Sequence, residues 1–485
     1  MSRAIIRRFG SWATPGLVAA VVGGCTVGPN YHRPDAPTPP AFKEAQGWTP
    51  SHPADAIDKG AWWSMFNDPV LDGLERRVAI SNQTVQQAEA TYRQAHQIVA
   101  EARASFFPTA GVDVEAQRSR QPSGVSAGGV SGASAAGERS VTLYEGALEA
   151  SWAPDLWGRI RRTVESDKAL AQLSAADLAN ARLSAQASLA QDYFQLRVLD
   201  EQGRVLRDTV AAFDRFLKLT QDQFKEGTLP QSAVLAAQAQ LYGAQSQLIN
   251  IGVARAQMEH AIAVLVGVPP AELSIAPASL SRDVPTPPVM VPSTLLERRP
   301  DIAAAERQMA SGNALIGVAV SAYYPDLTLT AEYGSAASNL GHLFTASSTL
   351  WSFGADAAET LIDFGLRRAQ VRAARAVYDQ DVAGYRQTVL TAFQGVEDQL
   401  SSLRIYQQQE EVLIRTEDVD HKTVQLDLDE FKEGTVDYLT VLTAQTNELN
   451  ASLAVLTTLQ NRLQASVLLV ENLGGGWSAV DLPKA

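Results

Sequence analysis

Three sets of residues in this 485-residue chain have types and spacings that suggest chemistry. Gly124-Val125-Ser126-Ala127-Gly128 spells G-x-S-x-G, the arrangement that presents a serine nucleophile on a sharp turn between a strand and a helix. It lies inside a Gly/Ser-rich tract, Gln121 to Ser140, that reads as a surface loop with no helix to follow, so no nucleophile elbow is expected. The six histidines, His32, His52, His96, His260, His342 and His421, are scattered, and none has a partner at metal-ligand spacing. No glycine-rich phosphate loop is present, so neither catalysis nor a bound cofactor or metal is expected. What remains is one thiol, Cys25, and five acids at alternate positions of strand-like stretches: Glu115, Glu145, Glu149, Glu332 and Asp356.

Cys25 is the only cysteine, and what precedes it explains its place. Arg3, Arg7 and Arg8 open the chain, Trp12 to Val22 is a short apolar run, and Gly23-Gly24 would suit cleavage just before the thiol. The pattern resembles a bacterial lipobox, whose cysteine is acylated and becomes the new N-terminus. Thr26 rather than Asp follows it, which by the same resemblance favours sorting to an outer membrane. Residues 1–24 are therefore expected to be a lipoprotein signal, and Cys25 the lipid attachment site.

Composition agrees with export. A chain with one cysteine has no internal disulfide and must be held by packing. Removing residues 1–24, which carry three arginines and no acid, takes the net charge from -13 to -16, against nucleic acid as a partner. No apolar run approaches the ~20 residues of a membrane helix, so any membrane span is expected to be made of strands.

The most informative feature is a duplication. Phe224 to Gln238, FKEGTLPQSAVLAAQ, matches Phe431 to Gln445, FKEGTVDYLTVLTAQ, at nine of fifteen positions and an offset of 207. The same offset pairs Gly267 with Gly474 and Trp157-Gly158 with Phe364-Gly365. Upstream the offset is 217, pairing Ala88-Glu89 with Ala305-Glu306 and Phe106-Phe107-Pro108 with Tyr323-Tyr324-Pro325. The ten extra residues of the first copy fall most simply in the Gln121 to Ser140 loop.

Each copy has the same order of elements. A helix of about 25 residues, Asn82 to Ser105 or Asp301 to Ala322, is stopped by the aromatic pair and its proline. Two alternating segments follow, predicted as strands at about 108–120 and 140–153, then 325–336 and 349–361, with the five acids on the wet face. Aromatics gather at their ends (Phe106, Phe107, Trp152, Trp157, Tyr323, Tyr324, Phe364), as in the girdles of membrane barrels. The chain then turns helical: about 159–226 and 231–267 in the first copy, 366–433 and 437–473 in the second. Ala169, Leu173, Ala176, Asn180, Leu183, Ala187, Ala190 and Phe194 form a seam of alternating four and three steps, typical of coiled coils. A helix over 159–226 would be ~100 Å long. The resulting division is a Pro-rich strap at 25–75, a first repeat at 76–270, a linker at 271–298, a second repeat at 299–476 and a tail at 477–485. The fold class is α+β, with four strands per chain.

Four strands cannot close a membrane barrel, for which about eight is the minimum, and an open edge in lipid would leave backbone groups unpaired. Several chains must therefore contribute: two would give a barrel filled by side chains, three a barrel with a lumen.

The duplication, Val27-Gly28-Pro29-Asn30-Tyr31, Leu296-Glu297-Arg298-Arg299-Pro300-Asp301-Ile302, Tyr323-Tyr324-Pro325 and Gly474-Gly475-Gly476-Trp477 resemble the TolC-like outer-membrane factors, and more narrowly the NodT-type lipoprotein branch of resistance-nodulation-division efflux systems. The resemblance implies a homotrimer with a twelve-strand barrel in the outer membrane, continuous with a twelve-helix periplasmic tunnel. It further implies a periplasmic adaptor and an inner-membrane pump as partners, and passive conduction of solutes through the duct. It also points to a gate on the returning helix of the second copy, where Leu439 matches the family's apolar constriction. Thr443 and Thr446 stand where that family usually has charged residues. Asp437 suits either a carboxylate ring at the gate or a helix N-terminus stabilised by the macrodipole. A periplasmic helical lipoprotein without a pore, and a duct for protein or oligosaccharide, are the alternative readings.

Overall fold

The structure is a computed structural model that describes residues 26–45, 61–121, 139–285 and 292–483. Cys25, the residues before it and Gly124 to Gly128 lie outside the described residues. Twelve principal elements follow in order: α1 Pro69–Ser81, α2 Gln83–Ala104, β1 Thr109–Gln121, β2 Arg139–Trp152, α3 Arg159–Lys225 and α4 Gln231–Leu265, then α5 Pro292–Arg298, α6 Pro300–Ser321, β3 Asp326–Ala337, β4 Thr349–Ala358, α7 Leu366–Glu433 and α8 Tyr438–Asn472. The second copy thus repeats the first element for element. Helix α1 begins inside the stretch read from sequence as a strap. Asp68 caps it, its Oδ1 accepting from the Val70 and Leu71 amides at 2.9 and 3.2 Å, and Pro69 pre-sets the first helical φ.

The chain divides into two compact units, each assembled from both copies. The first comprises residues 1–33, 95–171 and 308–381, the second residues 34–94, 172–307 and 382–485. The first holds one antiparallel sheet in the order β1-β2-β3-β4. Its register pairs Val112 with Leu148, Leu148 with Tyr333 and Tyr333 with Trp351, so these apolar side chains share one face and remain exposed on it. Trp157 stacks on Tyr324 at 4.8 Å and donates its indole N–H to the Pro325 carbonyl at 2.8 Å, while Trp152 donates to the Phe106 carbonyl at 2.9 Å. Aromatic ends of the strands are thereby fixed with their polar edges satisfied.

The second unit has the larger core, where Trp62, Leu71, Leu74 and Val78 meet Leu189, Tyr193 and Leu196 of α3 and Leu459, Leu463, Val467 and Val470 of α8. Helix α8 is long and apolar enough to cross a bilayer, against the sequence expectation that no helix would be, but 56% of its most apolar window is buried inside the protein. It is a core helix of this unit.

A pair of glycines explains how the returning helices end. Gly267 and Gly474 both have positive φ (70° and 91°). A Cβ on Gly267 would stand 2.0 Å from the Ser81 carbonyl oxygen, and one on Gly474 would stand 2.0 Å from that of Arg298. Only glycine tolerates both the left-handed conformation and the close approach. Beside each glycine, a side chain at equivalent positions of the two copies donates to the last turn of the returning helix: Asn82 to the Leu265 carbonyl at 2.8 Å, Arg299 to the Asn472 carbonyl at 2.9 Å. The duplicated geometry is kept by different chemistry.

Candidate channel-lining and tip sites

The sheet brings the five predicted acids together. Glu115 stands directly opposite Glu145, Glu149 directly opposite Glu332, Glu332 opposite Ser352 and Thr328 opposite Asp356. Because side chains alternate with a period of two, this register places all five carboxylates on one face and Val112, Leu148, Tyr333, Trp351 and Phe353 on the other, with Val141, Leu143 and Leu350 on the acidic side. Like charges directly opposite oppose pairing, and such rows persist only where water solvates them. Ser352 relieves one row, its hydroxyl donating to Glu332 Oε2 at 3.2 Å. One face suits hydrocarbon and the other suits water.

At the other candidate site, α7 ends and α8 begins around Gly434 (φ 77°), whose amide donates to the Phe431 carbonyl at 3.1 Å while the Thr435 amide reaches the Glu430 carbonyl at 3.0 Å. This is a Schellman-type stop, repeated at Gly227. Asp437 is the N-cap of α8 and not a residue of its first turn. Its Oδ1 accepts from the Thr440 amide at 2.9 Å and the Thr440 hydroxyl at 2.7 Å, and these bonds hold its carboxyl below the usual range. Leu439 and Thr443 are exposed one turn apart on α8. The Thr443 hydroxyl donates to the Leu439 carbonyl at 2.8 Å and that of Thr446 to the Leu442 carbonyl at 2.9 Å, so both threonines are satisfied within their own helix. Helix α8 therefore carries all four gate candidates at its start, with one carboxylate already engaged as a cap.

The run Val27-Gly28-Pro29-Asn30 is built into the first unit, which its sequence alone does not disclose. Arg162, whose side chain is 4% exposed, donates from Nε to the Val27 carbonyl at 3.1 Å and from Nη2 to the Gly28 carbonyl at 3.2 Å and Asn30 Oδ1 at 3.0 Å. Asn313 donates to the Pro29 carbonyl at 3.0 Å, and the Val27 amide to the Trp157 carbonyl at 3.2 Å. Gly28 (φ 93°) lies so close to α6 that a Cβ there would be 2.4 Å from the Gly317 Cα. The segment just after Cys25 is thus gripped beside the aromatic ends of the strands.

Among the described residues no group of His, Cys, Asp and Glu could hold a metal ion. A sheet with one oily and one acidic face, carried on paired long helices in two copies, is the arrangement of a channel wall. The family model described as "Outer membrane efflux protein" matches residues 75–268 and 291–475, one stretch in each copy. The chain belongs to the outer membrane efflux protein family. Among relatives of this family, the probable efflux pump outer membrane protein TtgC of Pseudomonas putida is 28% identical over 467 residues, covering 95% of this chain and 94% of that protein. The pyoverdine export outer membrane protein OpmQ of Pseudomonas putida is 30% identical over 452 residues, covering 91% and 94%. Of solved structures, the outer-membrane channel OprN superposes with a TM-score of 0.85 at 28% identity, covering 93% of this chain and all of that one. The CmeC channel of Campylobacter jejuni, at 21% identity and a TM-score of 0.87, shares the fold over 94% of this chain and 96% of its own. This outer membrane efflux protein is accordingly an outer-membrane channel that extends into the periplasm, a member of a duct family.

Proposed function

We propose that three copies of this chain form one duct, with twelve strands closing a barrel in the outer membrane and twelve helices forming a periplasmic tunnel. The duct receives solutes from a periplasmic adaptor and an inner-membrane pump of the resistance-nodulation-division class. The observation that carries this reading is the four-stranded sheet, apolar on one face and acidic on the other, with the outer edges of β1 and β4 unpaired among the described residues. Within lipid those edges must pair, and pairing β4 of one copy with β1 of the next closes a ring. Three copies leave room for a lumen, where two would fill it with side chains. Flow is passive, driven by the pump. The names of relatives speak of toluene, antibiotics and pyoverdine, and small organic solutes are the cargo assigned here.

Cys25 is proposed to carry the lipid, with no other cofactor. The grip on residues 27–30 by Arg162 and Asn313 supports a lipid that adds a second anchor to a protein already inserted by its strands. Purified protein tests the whole reading. A heat-resistant trimer that conducts ions in a planar bilayer is expected; a monomer without conductance would refute the duct and favour a periplasmic spacer. Cys25→Ser should lose the acyl mass and keep conductance.

A further inference from the structure

The first turns of α7 carry a basic face in an acidic chain. From Phe364 to Tyr378 there is no acid, while Arg367, Arg368, Arg372 and Arg375 fall within nine positions of a sequence whose net charge is -13. Arg367 is already engaged: it pairs with Asp363 at 2.7 Å and with Glu359, and its guanidinium lies 5.5 Å from the centre of the Tyr323 ring. Those are the two acids that most closely precede the helix, and one guanidinium takes up both. Arg368, Arg372 and Arg375 are exposed, and none of the three makes a hydrogen bond, an ion pair or a ring contact among the described residues. Spaced by four and three, they form one stripe along about 10 Å of helix.

Contacts within the first unit indicate which way the stripe turns. The neighbouring face of α7 packs on α6: Val371 is buried, and a Cβ on Gly312 would meet Asp381 Oδ2 at 2.6 Å and the Tyr378 Cα at 3.8 Å. At about 100° per residue, the arginines stand roughly a third of a turn away from that face. The offset of 207 sets Arg368, Arg372 and Arg375 on Arg161, Glu165 and Lys168 of α3. Glu165 is held at 2.8 Å by Arg162, whose other donors grip Val27, Gly28 and Asn30, so this side of α3 lies toward the segment that leads back to Cys25. In a lipid-anchored duct that segment runs outside the wall, and the equivalent side of α7 is then external too.

The two equivalent sides differ in how their charge is met. In α3, Arg161 is paired with Asp155 at 3.1 Å and Glu165 with Arg162, so charge cancels locally beside the N-terminal segment. In α7 an arginine stands at the position of Glu165, and no acid answers it among the described residues. Just before the stripe, Leu361, Ile362 and Phe364 are exposed, Phe364 completely. Arg368 follows the end of β4 at Ala358 by ten residues, so the order along the chain is strand, oily ledge, arginines. Hydrocarbon, interface and phosphate succeed one another in the same order at the edge of a leaflet. A guanidinium binds a phosphate through two parallel N–H···O bonds, and basic side chains at this depth recognise acidic headgroups.

We propose that Arg368, Arg372 and Arg375 bind the headgroup phosphate of an acidic glycerophospholipid in the periplasmic leaflet of the outer membrane, with Leu361, Ile362 and Phe364 against its acyl chains. The proposal rests on the lipid-anchored duct proposed above. It gives the second copy a bound lipid on the side where the first copy holds the chain's own N-terminal segment.

The test is native mass spectrometry of the full-length protein in detergent, titrated with phosphatidylglycerol or with phosphatidylethanolamine of the same acyl chains. The parent should bind phosphatidylglycerol in preference. Each arginine near an acidic lipid is worth about a factor of five, so Arg368→Gln, Arg372→Gln and Arg375→Gln together should weaken phosphatidylglycerol binding at least about tenfold and leave phosphatidylethanolamine binding unchanged. Lys218→Gln, Lys225→Gln and Lys422→Gln together remove the same charge from exposed positions elsewhere and should keep the preference. Should the triple arginine variant not assemble, the three single variants, each expected to lose about fivefold, are read in its place. Equal binding of the two lipids by the parent, or a preference that survives loss of the arginines, would overturn the proposal. So would a variant that keeps the preference yet shifts the reversal potential in a bilayer of phosphatidylcholine, since that places the stripe in the lumen. A parent that is not trimeric by mass would instead overturn the duct on which the site rests.

Discussion

Glu75 of α1 is fully buried, and neither carboxyl oxygen has a hydrogen-bond partner among the described residues. Burial, with a smaller contribution from Asp72, pushes its carboxyl up to about 9 from 4.5, so the native protein holds it neutral at physiological pH. Below pH 4.5 folded and unfolded chains are both protonated and the group has no effect on stability relative to a neutral residue. As pH rises from 4.5 towards 9 the unfolded chain releases the proton and the native one retains it, so stability falls by about 1.4 kcal/mol per pH unit. At pH 7.5 the accumulated loss is about 4 kcal/mol, reaching about 6 kcal/mol near pH 9. Glu75→Gln removes the ionisation while keeping the shape. The variant should match the parent near pH 4.5 and exceed it progressively above, read as the difference in apparent Tm between the two in detergent from pH 5 to 9. Parallel Tm curves across that range would refute the reasoning, because they would mean that Glu75 is ionised in the native state and finds a partner.

Gly474→Ala and Gly267→Ala meet both a left-handed backbone and a carbonyl oxygen 2.0 Å from the new Cβ, and should each cost at least about 2 kcal/mol, seen as a lower Tm and poor yield. Gly434→Ala, with positive φ but nothing within 4 Å of its Cβ, should cost only about 1 kcal/mol and serves as the control. Asp437→Ala removes the cap of α8 and should lower the apparent Tm, whereas Asp437→Ser keeps a capping oxygen and removes the charge. If Asp437 also forms a carboxylate ring, Asp437→Ser lowers cation preference in bilayer recordings; unchanged preference leaves it a cap alone. Glu149→Gln combined with Glu332→Gln should shift the reversal potential in a salt gradient toward weaker cation preference, and an unchanged value would place that row outside the conducting path.

Local pattern disclosed much of this fold, and long-range contact the rest. The strands were legible because apolar and polar residues change places at every step from Val112 to Ala116 and from Leu327 to Ala331, a period that backbone geometry converts directly into two faces. The long helices were legible from proline-free stretches with a seam period, and the duplication from the nine matches between Phe224–Gln238 and Phe431–Gln445 and the pairs that share their offset. Helix α1 was not: its Asp68-Pro69 start sits beside a Pro-rich run, and it is held by the Tyr193 hydroxyl, which donates to Asp68 Oδ2 at 2.5 Å across 125 positions of sequence. Nor could Arg162 be paired with Val27 and Gly28, 135 and 134 positions away, since one arginine among the many on such a helix carries no mark of its partner. At the start of α8, the bonds from Thr440 make Asp437 a cap, a contact that the acid's place in the sequence does not disclose.

The facing carboxylates of the sheet, Glu115 with Glu145 and Glu149 with Glu332, bear on how such a duct can be shut. A pore closes by drying when its wall is oily enough for water to leave a narrow section. A wall lined by facing carboxyl groups holds its water, so the barrel of the proposed trimer does not shut by drying. In that proposed duct closure falls to the helices, and it has to be mechanical: helices moving against one another until no path remains.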